Sequence, residues 1–305
     1  MNSTSSLSGH RRSIRPASAI SFWLAYQPPL HWPSLLGFLA ARAISGVETV
    51  VAGVYTRSFD LARGQGIVQV AKARGHRLKV TVIASSAGAL PGLLARVRRV
   101  FDLDAEPLKI EALLRRDPLM AQLIELRPGL RVPRGWDGFE QAMRTVLGQQ
   151  ISVAGAITLA GRLVAGYGEP LAAQLQRVPG LTHVFPRAEA VADVDLSGLG
   201  MPRSRAATLS TLARALLHDP QLLRPERDLE AWVQRLCRLR GIGPWSAHYL
   251  ALRQMGAADA LPLGDVALVK ALRLLEGPEA QLAQRAPAWS PWRAYAAQHL
   301  WASLS

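Results

Sequence analysis

The residues best suited to chemistry lie between Asp228 and Ala271. Leu229, Trp232, Val233, Leu236 and Leu239 share one face of a helix that Asp228 is positioned to cap. That run stops at Arg240-Gly241-Ile242-Gly243, and Pro244 suits the first turn of a second helix. Two glycines around one apolar residue make a tight turn that buries Ile242 and leaves the Gly241 and Gly243 amides facing outward. Free amides at a helix N-terminus hold a phosphate oxygen without help from any side chain. The same spacing also serves plain helix–helix connections, so the turn alone decides nothing. Asp265 follows Leu261-Pro262-Leu263-Gly264 and precedes Val266, Val269, Leu272 and Leu275, an apolar series at helical spacing. Local structure accounts for it as a helix N-cap. Yet a phosphate site has no use for a carboxylate, so the hairpin, Trp245 and Asp265 together point past simple anion binding.

The elements that must position these groups fall into two blocks. Phe22 to Tyr26 reads as a strand halted by Pro28-Pro29, and Leu35, Leu36, Phe38, Leu39 and Ile44 recur at helical spacing after Pro33. Val47 to Phe59 reads as a hairpin around Gly53, and Ile67–Val70 with Leu78–Ile83 as another pair linked through Gly75. After Gly88 the spacing turns helical: 90–101, 106–114 and 118–126, then a linker at 131–135. Beyond Trp136 helices are expected almost to the end, including 139–167 interrupted at Gly148, then 186–192, 204–217 and 228–239. The expected class is α+β, a small N-terminal antiparallel-sheet domain followed by a helical body.

Composition narrows the partners. The 305 residues leave room for two or three domains of roughly 150 residues. With 49% hydrophobic and 19% charged residues the chain is globular, not disordered. Lys and Arg exceed Asp and Glu by 14, which suits a polyanion, most simply nucleic acid. The single Cys237 excludes an intramolecular disulfide and any Cys-rich zinc or four-cysteine iron–sulfur site, and on its apolar-periodic helix it reads as a buried small residue. His248 and the other six histidines show no metal spacing, so no metal is expected. Pro28, Pro29, Pro33 and Arg42 interrupt the most apolar region, so no membrane span is expected. Residues 1–19 read as a disordered leader, with an organelle transit peptide as the alternative.

Taken together, Leu239-Arg240-Gly241-Ile242-Gly243-Pro244-Trp245-Ser246-Ala247-His248-Tyr249 and the following Asp265 resemble the helix-hairpin-helix DNA glycosylases, and among them the bacterial 3-methyladenine-DNA glycosylase II family. Gly148-Gln149-Gln150-Ile151-Ser152, the 198–206 segment, Pro291-Trp292-Arg293-Ala294-Tyr295 and His299-Leu300-Trp301 match in order, as do Tyr26-Gln27-Pro28-Pro29-Leu30 and the 42–48 segment. The resemblance implies a domain at 20–112 and a helical region at 113–305. That region divides into 137–255, carrying the hairpin, and 113–136 plus 256–305, with the cleft between them.

It further implies a monofunctional hydrolase that flips alkylated purines of the 3-methyladenine or 7-methylguanine type out of duplex DNA and cuts their N-glycosidic bond. Asp265 would stabilise the oxocarbenium-like sugar or activate water. Trp245, Tyr249 and Trp301 would hold the cationic base. Gln149, Gln150 and Ile151 would supply the wedge that fills the emptied stack, with Gln150 or Ile151 the inserting residue. Gly241, Ile242 and Gly243 would form the phosphate-binding hairpin, with a monovalent cation there when DNA is bound and no other cofactor. Related strand-cleaving enzymes carry a lysine where Trp245 stands. Arg240 replaces a proline common in the hairpin. The expected state is a monomer in the bacterial cytoplasm, nucleoid-associated through DNA. The competing assignments are an adenine-mismatch or oxidised-base glycosylase and a non-catalytic helix-hairpin-helix DNA-binding protein.

Overall fold

The structure is a computed structural model that describes residues 19–61, 64–84 and 90–304. Of the expected leader only Ala19 falls within these; the rest lies outside the described residues. Five strands, β1 (Ala19–Ala25), β2 (Glu48–Val51), β3 (Val54–Leu61), β4 (Gly64–Ala73) and β5 (Arg77–Ala84), form one antiparallel sheet in the order β1-β5-β4-β3-β2. The β2–β3 hairpin turns at Ala52-Gly53, both with positive φ, as a two-residue hairpin needs.

Alternation sorts the sheet's two faces. Val80 and Val82 pair with Val70 and Val68, and together with Leu78 they face inward with Tyr55 and Phe59. They pack on α1 (Trp32–Ala40) through Leu35 and Leu39, and on α2 (Leu90–Val100) through Leu93 and Val97. On the opposite face Ile67 packs with Leu171, Leu175, Leu181 and Val184. These last four residues belong to a segment where helix was expected. Between 168 and 185 it holds only a 3-10 turn, Ala173–Leu175, because Pro170, Pro179 and Gly180 break any helix and its apolar residues are satisfied against β4.

The helical body follows: α3 (Pro107–Leu114), α4 (Pro118–Leu126), α5 (Gly138–Leu147), α6 (Val153–Tyr167), α7 (Ala188–Val191), α8 (Arg203–His218), α9 (Leu229–Cys237), α10 (Pro244–Leu250), α11 (Val266–Glu276), α12 (Leu282–Arg285) and α13 (Arg293–Ala302). Most start at a capping side chain or a proline. Asp117, Asp137, Ser152, Asp228 and Asp265 all accept a backbone N–H from the first turn of their helices. The expected helix at 186–192 shortens to Ala188–Val191, since Arg187 at its N-cap supplies no capping side chain. Trp232 and Trp289 are fully enclosed in the core and Trp292 packs against it half-buried. Cys237, expected buried, is half-buried at the edge of α9.

Sheet and helical body are joined by buried charge. Arg57 on β3 donates to Glu48 at 3.3 Å and to Glu140 on α5 at 2.7 Å, and the Tyr55 hydroxyl donates to Glu48 at 2.6 Å. Arg144, one turn along α5, donates to Glu140 through Nε at 2.9 Å and also to Glu48. Burial alone would raise the Glu140 carboxyl, but Arg57 and Arg144 hold it well below the ordinary carboxylate range. The cluster fixes the sheet domain against α5, whose C-terminal end leads into the loop at the cleft.

Candidate active site

A cleft of about 1190 Å³ runs between the α10–α11 region, the 148–153 loop and the underside of α1. Its chemistry is assembled from four chain segments. At the first, the hairpin after α9 closes as its glycines require. Ile242 is buried, and Gly241 sits at φ +90°, where a Cβ would come within 2.0 Å of Thr208 Oγ1. Gly243 is exposed, and a Cβ there would meet nothing within 4 Å, so its backbone is open to a ligand ahead of Pro244.

The turn launches α10, which carries Trp245 and Tyr249 four residues apart on one face. Their rings stack at 5.3 Å with 12° between planes, and Trp301 of α13 meets Tyr249 edge-on at 6.0 Å. Asp265, 8% exposed, begins α11. Its Oδ1 accepts the Leu268 amide at 2.9 Å and the Trp301 indole N–H at 3.0 Å; its Oδ2 accepts the Trp245 indole N–H at 2.9 Å. Capping and functional placement therefore coincide in one residue: the cap holds the carboxylate, and two indoles tie it to the aromatic wall. All three donors are neutral, so its negative charge is not cancelled by a partner.

The loop between α5 and α6 forms the rim. Gln149 donates through its amide to the Gly241 carbonyl and to Ser246 Oγ, both at 2.9 Å, which braces it against the hairpin. Gln150 is exposed with φ +57°, and Ile151 is 40% exposed. Of the three expected wedge residues, these two stand free at the cleft and Gln149 is engaged.

Three cleft residues escaped the sequence. Arg253, 2% exposed, lies in a single π-helical turn, Ala251–Met255, that continues α10. It donates to the Pro133 carbonyl and to Gln298 Oε1, both at 2.9 Å. Its guanidinium carbon lies 5.5 Å from the Tyr249 ring centre, 5.0 Å from Trp301 and 4.5 Å from Phe38. Arg42 also lies over the Phe38 ring of α1, at 4.0 Å. Burial pushes Arg253 below its usual range against the pull of Tyr249. Burial would raise the Tyr249 phenol, but Arg253 and Arg42 draw it below the ordinary tyrosine range. The only signal for Arg253 was a cation interrupting the apolar run Ala251-Leu252, which a surface position would explain equally well.

The hairpin offers carbonyls and no carboxylate between Leu239 and Trp245, a donor set that suits a monovalent better than a divalent ion. The Leu239, Gly241 and Gly243 carbonyls each accept one N–H and retain a second lone pair. Among the described residues no group of three or more His, Cys, Asp or Glu side chains could hold a metal, and no helix is long and apolar enough to cross a membrane.

A family profile described as the AlkA N-terminal domain matches residues 21–137. The DNA-3-methyladenine glycosylase 2 of Escherichia coli K12 is 38% identical over 92% of this chain and 96% of its own length. A Mycobacterium tuberculosis protein named as a probable bifunctional transcriptional activator/DNA repair enzyme AlkA is 37% identical over 94% of this chain, which spans 58% of that relative. The solved 3-methyladenine DNA-glycosylase from Archaeoglobus fulgidus superposes with a TM-score of 0.77 at 19% identity, covering 92% of this chain and 97% of that one, a likeness of fold.

Proposed function

The chain belongs to the DNA-3-methyladenine glycosylase II family, and from that premise we propose that it hydrolyses the N-glycosidic bond of alkylated purines in duplex DNA as a step of base excision repair. The damaged nucleotide flips from the stack and Gln150 or Ile151 fills the gap. Unstacking of this kind requires a few kcal/mol. The backbone of Gly241 to Gly243 holds a phosphate of the deformed strand. The hairpin carbonyls of Leu239, Gly241 and Gly243 would hold a monovalent cation, which would supply positive charge for the DNA backbone.

The extruded purine lies against Trp245, Tyr249 and Trp301. An N3- or N7-alkylated ring carries positive charge, and each aromatic face attracts it by roughly 0.5–2 kcal/mol. As the C1′–N bond breaks, the bonding pair leaves with the purine and positive charge moves to the sugar. Asp265 lies beside that charge and stabilises it. A water oxygen then bonds to C1′ and gives up one proton, to Asp265 or onward to solvent, leaving an abasic sugar and a neutral free base. With Trp245 after the hairpin, and no lysine lining the cleft among the described residues, the reaction ends in hydrolysis without strand cleavage.

The observation that carries this assignment is the Asp265 carboxylate, buried in the cleft, held by two indoles and a helix terminus and neutralised by none of them. The test is mass spectrometry of bases released from methylated, oxidised and mismatched duplexes. Release of 3-methyladenine and 7-methylguanine from the methylated duplex is expected. Release confined to 8-oxoguanine or mismatched adenine would replace it with the oxidised-base or mismatch assignment, and binding without any release would leave a non-catalytic DNA-binding protein.

A further inference from the structure

Arg253 is an expensive residue to place where it is. A guanidinium taken out of water needs a carboxylate or a full set of acceptors. Arg253 has only neutral partners, the oxygens of Pro133 and Gln298 and the Tyr249 phenol, and its Nε has no acceptor among the described residues. Its sequence neighbours Ala251 and Leu252 are fully buried and apolar, so the cation stands out in an apolar run. What surrounds it is the aromatic wall itself: Phe38, Tyr249 and Trp301 present ring faces or edges to it within 5.5 Å. Asp265 hydrogen-bonds the Trp301 indole, so that ring stands between a buried anion and a buried cation.

We propose that Arg253 is a specificity-determining residue: with Asp265 it sets an electric field along the scissile bond that drives positive charge from purine to sugar, and it thereby extends excision to uncharged bases. This inference rests on the glycosylase assignment above. It follows from where charge goes in the reaction. A cationic alkylpurine binds against the repulsion of Arg253 and is relieved of it as the bonding pair neutralises the ring. A neutral purine such as hypoxanthine instead takes on negative charge as the same pair arrives, and Arg253 stabilises that charge directly. In both cases the sugar becomes positive next to Asp265. Removing the cation therefore affects the two substrate classes differently, which loss of packing would not do.

The experiment compares wild type, Arg253→Met and Arg253→Lys on duplexes carrying 7-methylguanine or hypoxanthine, with kcat and KM measured separately. For 7-methylguanine, Arg253→Met is expected to lower KM and kcat together, each by about tenfold, leaving kcat/KM nearly unchanged. For hypoxanthine the same variant is expected to lose about a hundredfold in kcat, the effect of deleting one preorganised electrostatic group. Arg253→Lys keeps the charge and is expected to recover most of the hypoxanthine activity. A spectroscopic readout accompanies the kinetics: the tyrosine that ionises earliest in the ultraviolet titration of wild type is expected to ionise later in Arg253→Met and not in Arg253→Lys. Equal loss of kcat/KM on both substrates, or a lysine variant as impaired as the methionine variant, would overturn the inference while leaving the glycosylase assignment in place. A wild type that releases 7-methylguanine from no duplex would overturn both.

Discussion

Where β3 meets α5, two carboxylates and two guanidiniums neutralise one another; at the floor of the cleft, Asp265 and Arg253 are held only by neutral groups. Both sites take charge out of water, but with different results. Glu48, Arg57, Glu140 and Arg144 satisfy each other so fully that no charge is left to act on anything else. They fix one domain against another. Asp265 accepts from an amide and two indoles, and Arg253 is held by a carbonyl, an amide oxygen and the Tyr249 phenol, so each is oriented by neutral groups without being cancelled. Charge compensated in this way builds architecture. Charge that is positioned and left uncompensated remains available to a substrate.

The sharpest way to break this contrast is to unbalance the joint. Glu140→Gln leaves Arg57 and Arg144 facing the single carboxylate of Glu48 in a buried setting. A loss of about 3–5 kcal/mol in denaturant unfolding is expected. A loss below about 1 kcal/mol, the range of exposed pairs, would show that water reaches the cluster and that it does not act as a buried joint.

Acid provides a second test, on a buried group outside both sites. His299 on α13 is enclosed, and burial, reinforced by Arg127, lowers its pKa to about 4. The unfolded chain binds that proton near the ordinary histidine value, so this stability is fully present above about pH 6.5 and is lost as pH falls toward 4. The full effect is about 3 kcal/mol. In His299→Gln, the stability loss between about pH 6.5 and 4 is expected to shrink to that of His31 and His248, whose pKa values burial also lowers, and below about pH 4.5 protonation of Glu140, whose folded pKa is depressed, removes its own contribution. Denaturation midpoints measured across this range give the comparison, and identical pH profiles for variant and wild type would contradict it.

The smallest expected effect is local. Gly241→Ala forces a side chain into a left-handed backbone and against Thr208. About 1–2 kcal/mol of stability should be lost, with weaker duplex binding read by fluorescence anisotropy. Unchanged affinity would remove the hairpin from phosphate contact.

What was legible in the sequence was what lies close together along it. The hairpin, Trp245, Tyr249 and the Asp265 cap fall within one stretch, and their spacing is the spacing of two helices and a turn. The sheet was legible because β-branched runs alternate around Gly53 and Gly75. Trp301 could be placed only through the family resemblance, since nothing local distinguishes it from Trp289 or Trp292, which pack in or against the core. Arg253, Phe38 and Arg42 come from separate segments and acquire meaning only when α1 closes over the π-turn. The same holds for the buried cluster, whose Arg57 and Glu140 are 83 residues apart. The 168–185 segment departs from the helical expectation beyond Trp136 because its prolines and glycine break helix and direct it across the sheet.

The negative charge of Asp265 is tested by release of 7-methylguanine from methylated duplex DNA by Asp265→Asn, quantified by mass spectrometry alongside duplex affinity. Asparagine preserves the helix cap and an acceptor for the indoles but removes the negative charge. Affinity within a few-fold of wild type, with base release reduced by at least about a thousandfold, is the predicted result. Release at the wild-type rate would contradict the account.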